Sequence, residues 1–246
     1  MTLAVRENGP ALAVSLALAA GVKAAYSRVG PDELRFLTGP TQALVGLMTG
    51  IDFAYEGGYG YVSLARHLVI AKSCTGVNFL LAAFGLLGFS LVPAARGWRT
   101  KLGLVPAVAG LAFAATVVVN AIRIALGIIL HEGGLSWGWM DAGRVHRLAG
   151  IVVYFGALLV LHALARRGST SSAVAAPLAW YGGIALAVPL LNGALVAHPM
   201  LFAEHCAWIA AVALLAGACF KAGARSSRNL ETATFHSAGL RRKPAS

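Results

Sequence analysis

Three short stretches carry residues that are out of place in an apolar chain and suited to acyl transfer. The first is Ala71-Lys-Ser-Cys-Thr-Gly-Val-Asn78, where an ammonium, a thiol and an amide fall within seven residues. On a helix Cys74 and Asn78 would share a face, Gly76 would let another backbone approach, and a cation such as Lys72 can favour thiolate over thiol. The second is Asn120-Ala-Ile-Arg-Ile124. Arg123 lies seven residues before Leu130, roughly 10 Å along a helix, too deep for an unpartnered guanidinium, and Asn120 sits one turn before it on the same face. The third is Arg144-Val-His-Arg147. Each stretch has a plainer reading. A lone cysteine in an apolar segment is more often packing than nucleophile, an arginine can snorkel to the interface, and a histidine at a helix end can be a surface residue.

Together the three residues make a chemical set. A thiolate attacks carbonyls near neutral pH. An imidazole can take the thiol proton and return it to a leaving amine, and a guanidinium can stabilise a tetrahedral oxyanion. That is the logic of acyl transfer through a thioester, with Cys74, Arg123 and His146 as the reacting trio and Lys72, Asn78 and Asn120 in support.

The elements that must position these residues are membrane spans. Of the 246 residues, 58% are hydrophobic and only 12% charged, against roughly 25% charged in a soluble domain; mean hydropathy is +0.74. A water-soluble fold of this size could not hide that much apolar surface. The expected fold is an all-α polytopic bundle of about six spans of roughly 20 residues, near Ala11–Tyr26, Leu68–Ala94, Leu104–Leu130, Leu148–Ala165, Pro177–Val196 and Leu201–Phe220. The chain divides into an N-terminal segment with the first span (1–26), a periplasmic interfacial segment (27–67), a catalytic helical core (68–165), a two-helix extension (166–222) and a basic tail (223–246). The first apolar run is read as a retained span rather than a cleaved signal. Leu34–Ile51, interrupted by Gly39-Pro40, reads as a surface helix or re-entrant piece. The aromatic, glycine-rich stretch from Asp52 to Tyr61 suits a water–lipid interface, and the tail after Lys221 reads as disordered.

The net charge of +11 does not point to nucleic acid, because the cations sit at the ends of apolar runs, where they set topology and meet anionic lipid. Arg6, Arg96, Arg99, Lys101, Arg166, Arg167 and the tail cations Lys221, Arg225, Arg228, Arg241, Arg242 and Lys243 gather on one side, twelve of the twenty Lys and Arg. Six of the nine acids, Asp32, Glu33, Asp52, Glu56, Glu132 and Asp141, fall on the other, which also holds Arg28, Arg35, Arg66, Arg144 and Arg147, so the bias is incomplete. Both termini are then cytoplasmic, and Cys74, Arg123 and His146 all end near the outer leaflet. The three cysteines form no disulfide framework.

Cys-Thr-Gly-Val-Asn-Phe at 74–79, Asn-Ala-Ile-Arg-Ile at 120–124 and Val-His-Arg at 145–147 resemble, in order, the motifs of the exosortase/archaeosortase family, over about residues 25–165. The pattern is most similar to the short variant called exosortase K; Thr75 stands where serine is frequent. The resemblance implies a cysteine transpeptidase of the Gram-negative inner membrane, with its site toward the periplasm. It implies Cys74 as nucleophile, Arg123 as transition-state stabiliser and His146 as proton shuttle, with Asn120 and Asn78 behind them. The implied substrate is an exported protein with a C-terminal signal of short motif, spanning helix and basic cluster, whose new C-terminus passes to an acceptor nucleophile not named by the sequence. Larger exosortases carry more spans and often a fused C-terminal domain, and neither is expected here. No cofactor and no resident metal is implied.

Rivals exist. His198 and His205 are seven apart, a spacing open to metal ligation, with Pro199 between them. His131 competes with His146 but reads as a boundary residue, and His162 lies about 24 Å deeper than His146. The alternative function is a transporter or envelope-assembly subunit that binds an anion through Lys72 and Arg123.

Overall fold

The computed structural model describes the backbone of residues 2–134, 138–166, 174–191 and 193–239, and side chains from residue 8 to 223 within those ranges. Arg6, Arg167 and the tail cations from Arg225 onward, used above for orientation, lie outside the described side chains.

Five helices are long and apolar enough to cross a bilayer: α1 (Thr2–Arg28), α3 (Val77–Leu91, extended by a 3-10 turn to Ala94), α4 (Trp98–Glu132), α5 (Ala142–Ala165) and α8 (Pro199–Gly239). Between them lie α2 (Arg35–Thr49), strands β1 (Ala54–Glu56), β2 (Gly60–Ser63) and β3 (Leu68–Ile70), and the shorter helices α6 (Ala175–Leu191) and α7 (Ala194–Ala197). The chain is an all-α, multi-pass membrane protein with one small sheet at its edge. The fifth expected span is shorter than anticipated: α6 has 17 residues, about 26 Å of helix, and it stops before Gly193, whose φ of +76° turns the chain into α7.

The bundle is built around α3, which packs against α1, α4, α5 and α6. Phe79, Ala83, Leu86 and Leu87 of α3 meet Val108 and Ala112 of α4 and Ile151, Phe155 and Leu158 of α5 in one buried cluster. Lipid tails are as apolar as leucine, so close packing rather than hydrophobic burial holds such helices together. The outward faces of α4, α5 and α8 accordingly stay apolar and exposed, as at Ile122, Val152 and Leu215.

Three differences from the sequence reading bear on the site. Residues 68–70 pair with β2 in antiparallel register, Ser63 opposite Leu68 and Tyr61 opposite Ile70, so the second span begins at Lys72, with its α-helix from Val77, rather than at Leu68. A short apolar run cannot be assigned to strand or helix by periodicity alone. Pro40 does not break the segment before it: α2 runs through it and packs against α4. The tail is not disordered over most of its length, because α8 continues to Gly239. From Ala224 to Ala238 it contains neither glycine nor proline, so nothing local stops the helix.

Candidate active site

Cys74 sits where β3 gives way to α3. Beyond Ile70 the chain makes a 3-10 turn over Lys72–Cys74 and passes through Gly76 at φ +74° into α3. A Cβ at Gly76 would lie 3.0 Å from Asn120 Cγ. What approaches the glycine is therefore a side chain of α4 rather than a backbone. Through that gap Asn120 Nδ2 donates to the Cys74 carbonyl at 2.5 Å, which pins the turn to α4. Cys74 precedes the helix, so it and Asn78 do not share a helical face.

Asn120, with no exposed surface, organises the rest. Its Oδ1 accepts from Tyr154 Oη at 2.7 Å and from Arg123 Nε at 3.2 Å. Both acceptor directions of the buried amide and one of its two donors are used. Arg123, held by Asn120 and with its guanidinium carbon 5.3 Å from the Tyr154 ring centre, extends Nη1 to within 3.5 Å of His146 Nε2. Arginine only donates, so this contact presents the Nε2 lone pair to the guanidinium.

His146 is positioned from two directions. Asp141 caps α5, its side chain accepting from the Arg144 amide at 2.8 Å; such caps fix where a helix begins. Across the gap, a Cβ on Gly127 of α4 would stand 2.7 Å from His146 Nδ1. The imidazole thus rests against bare backbone.

Cys74, Arg123 and His146 line one cavity of about 450 Å³ at the end of the bundle where α3 starts, α4 ends and α5 starts; His131 lines it too, and Phe53, Leu68, Ile70 and Ile128 are among its apolar walls. The sheet closes one side, tied to the tip of α4 by Arg66 and Glu132 at 2.9 Å.

Lys72 points elsewhere. Its ammonium donates to the Val29 carbonyl at 2.6 Å and lies 4.9 Å from the Tyr26 ring centre, tying the turn to the end of α1. Asn78 accepts from Lys23 at 3.2 Å and lines a neighbouring cavity that also reaches Arg123 and His146. His162 is buried at 3% exposure and lines neither cavity. His198 ends α7 and His205 lies in α8. Among the described residues no group of three or more His, Cys, Asp or Glu could hold a metal ion. Tyr154 and Gly127 went unnoticed in the sequence. Tyr154 is two helical turns after His146 on the same face of α5, a spacing that could have drawn attention to it, whereas Gly127 carries no signal without its neighbour.

A multi-pass helical membrane protein with a cysteine, an arginine and a histidine walling one cavity is the class that this fold and site define. The family model described as transmembrane exosortase matches residues 10–163, from α1 to the end of α5, and includes every residue of the site. The chain belongs to the transmembrane exosortase family. No curated protein and no solved structure matches it.

Proposed function

We propose that this exosortase-family protein is a cysteine transpeptidase, most like exosortase K, which cleaves a C-terminal sorting signal of exported proteins and passes the new C-terminus to an acceptor. One observation carries the reading: Arg123 and His146 stand 3.5 Å apart in the wall of the same cavity that Cys74 lines. His146 takes the proton of the Cys74 thiol, and the sulfur attacks the scissile carbonyl. Arg123 faces the oxyanion of the tetrahedral intermediate, a contribution worth about 10²–10³ in rate for one donor. On collapse the C–N bond breaks, His146 protonates the leaving amine, and the signal helix departs, leaving a thioester on Cys74.

The cavity's apolar walls suit a peptide segment leaving the bilayer beside the sheet. The Lys and Arg bias supports an inner-membrane orientation with the site toward the periplasm and both termini in the cytoplasm. The anion-carrier alternative is not favoured, since the Lys72 ammonium is occupied by Val29 and Tyr26 and does not join Arg123 at one site. Co-expression with a tail-anchored protein bearing a motif, helix and basic cluster tests the proposal. Cleavage near the motif is expected with the native chain and none with Cys74→Ser; undiminished cleavage by Cys74→Ser removes the covalent mechanism.

A further inference from the structure

The cavity that holds Cys74 also takes in three consecutive residues of β3, Leu68, Val69 and Ile70. Successive side chains of a strand point to opposite faces of its sheet. A cavity that meets all three therefore runs along the edge of the strand rather than over one face. β3 is an edge strand, since the sheet order is β1–β2–β3, and β2 occupies only one side of it. Among the described residues no hydrogen bond reaches 68–70 from outside the sheet.

Such an edge presents unpaired N–H and C=O groups, and natural sheets discourage pairing there with charges, proline or a covering element. The far edge follows that rule: β1 carries Glu56, and its Tyr55 is engaged by Asp32 and Arg35. Leu68-Val-Ile70 carries neither charge nor proline. The bare edge is the one beside the thiol. Its two faces also differ. Ile70 is 2% exposed and packs with Val45, Ile124 and Ile128, whereas Val69 is 48% exposed.

Resting on the transpeptidase reading above, we infer that the free edge of β3 binds the substrate's motif segment as a fourth strand and lays its main chain, extended, past Cys74. The occupant is a peptide because the alternating donors and acceptors of a strand edge are matched by another main chain; an acyl chain of lipid has neither. The pairing also answers a difficulty of the substrate. In a spanning helix every carbonyl is held in an i to i−4 hydrogen bond, so the bond to be cut must lie in a segment drawn out of the helix, and β3 replaces the hydrogen bonds that are lost. Selectivity follows from the pleat. Along a paired strand, successive residues turn their N–H and C=O alternately toward and away from the neighbour, and their side chains alternate in step. Side chains on the Ile70 face meet the apolar wall of Phe53 and Ile128, and those on the Val69 face lie open. The motif is therefore read with a period of two.

The test uses the full chain in nanodiscs and synthetic peptides of a signal cleaved in a Cys74-dependent way, N-methylated at one motif residue at a time. Each methyl removes one main-chain donor and crowds the neighbouring strand. Cleavage should fall about ten-fold at every second position, the worth of one hydrogen bond and the added crowding, and change little at the positions between. A second measurement needs no turnover. In a chain carrying Cys74→Ala, Cys206→Ser and Cys219→Ser, the further change Val69→Cys is small and at an exposed position. It should form disulfides with single cysteines placed at alternate motif positions and not with those between, because only alternate side chains share the face of residue 69. An even loss along the N-methyl series, or crosslinks that are absent or show no alternation, overturns the inference while leaving Cys74-dependent cleavage in place. Cleavage that persists in Cys74→Ala defeats the parent reading instead.

Discussion

Gly127 offers the sharpest steric test of the site, because it touches the imidazole and carries no chemistry. A methyl added there would stand 2.7 Å from His146 Nδ1 and 2.8 Å from Cε1, whereas ordinary contacts are about 3.5 Å or more. The ring must therefore retreat by about 0.8 Å. Its 3.5 Å contact with Arg123 lies at the limit of a hydrogen bond and does not survive a shift of that size. A displacement of about 1 Å in a reacting group costs on the order of 10²-fold in rate, or about 2.7 kcal/mol in the barrier. Gly127→Ala should slow signal cleavage by roughly that factor, while overpacking by one methyl against a movable side chain costs the fold about 1 kcal/mol. Gly156→Ala is the control: it lies on α5, and its added methyl meets nothing within 4 Å. The assay is the initial rate of cleavage in nanodiscs, with thermal unfolding of both variants alongside. A Gly127→Ala enzyme as fast as Gly156→Ala would refute the placement of His146 against α4.

Two further outcomes follow from the hydrogen bonds. Tyr154→Phe removes the 2.7 Å donor to Asn120 and so loosens the amide that orients Arg123. A fall of about five- to ten-fold in kcat, worth about 1 kcal/mol, is expected with little change in KM, and a change confined to KM would place Tyr154 in substrate binding instead. In the outer segment, Asp32 accepts from the Tyr55 hydroxyl and from the Gly58 amide, and these bonds, the hydroxyl first, hold its carboxyl below the usual aspartate range. A folded value below the unfolded one gives stability that is present above about pH 4 and lost as pH falls through the folded value. Proteolysis within 52–61 should therefore quicken at acid pH, and Tyr55→Phe should raise the baseline and flatten that dependence; an unchanged profile in Tyr55→Phe would show that the bond does not order the hairpin.

The fold class was legible because a bilayer span imposes a long apolar run, and α4 and α5 have nothing else to be. The depth argument was legible too: helices that alternate in direction bring the start of α3, the end of α4 and the start of α5 to one end of the bundle. Local geometry was not. Leu68-Val-Ile70 is as apolar as the helix after it, and only its pairing with Tyr61-Val-Ser63 makes it a strand. Lys72 stands two residues from Cys74 in sequence, yet a 3-10 turn sends its ammonium to the end of α1. Asn120 was marked as support for Arg123, but its bond to the Cys74 carbonyl depends on a gap at Gly76 that no spacing rule describes. Glu204 stands next to His205 in sequence, yet it pairs with Arg144 and Arg147, some sixty residues away on another helix.

The central claim is that the sulfur of Cys74 carries the acyl group, and it is tested most directly by catching that bond. The purified chain is mixed with a signal-bearing substrate, quenched in acid within the first turnover, digested and examined by mass spectrometry. The account predicts that the peptide containing Cys74 gains the mass of the substrate's new C-terminal fragment, that hydroxylamine removes it, and that Cys74→Ala yields neither adduct nor cleavage. Cleavage at the native rate by Cys74→Ala, or an adduct on Cys206 or Cys219 instead, would contradict it.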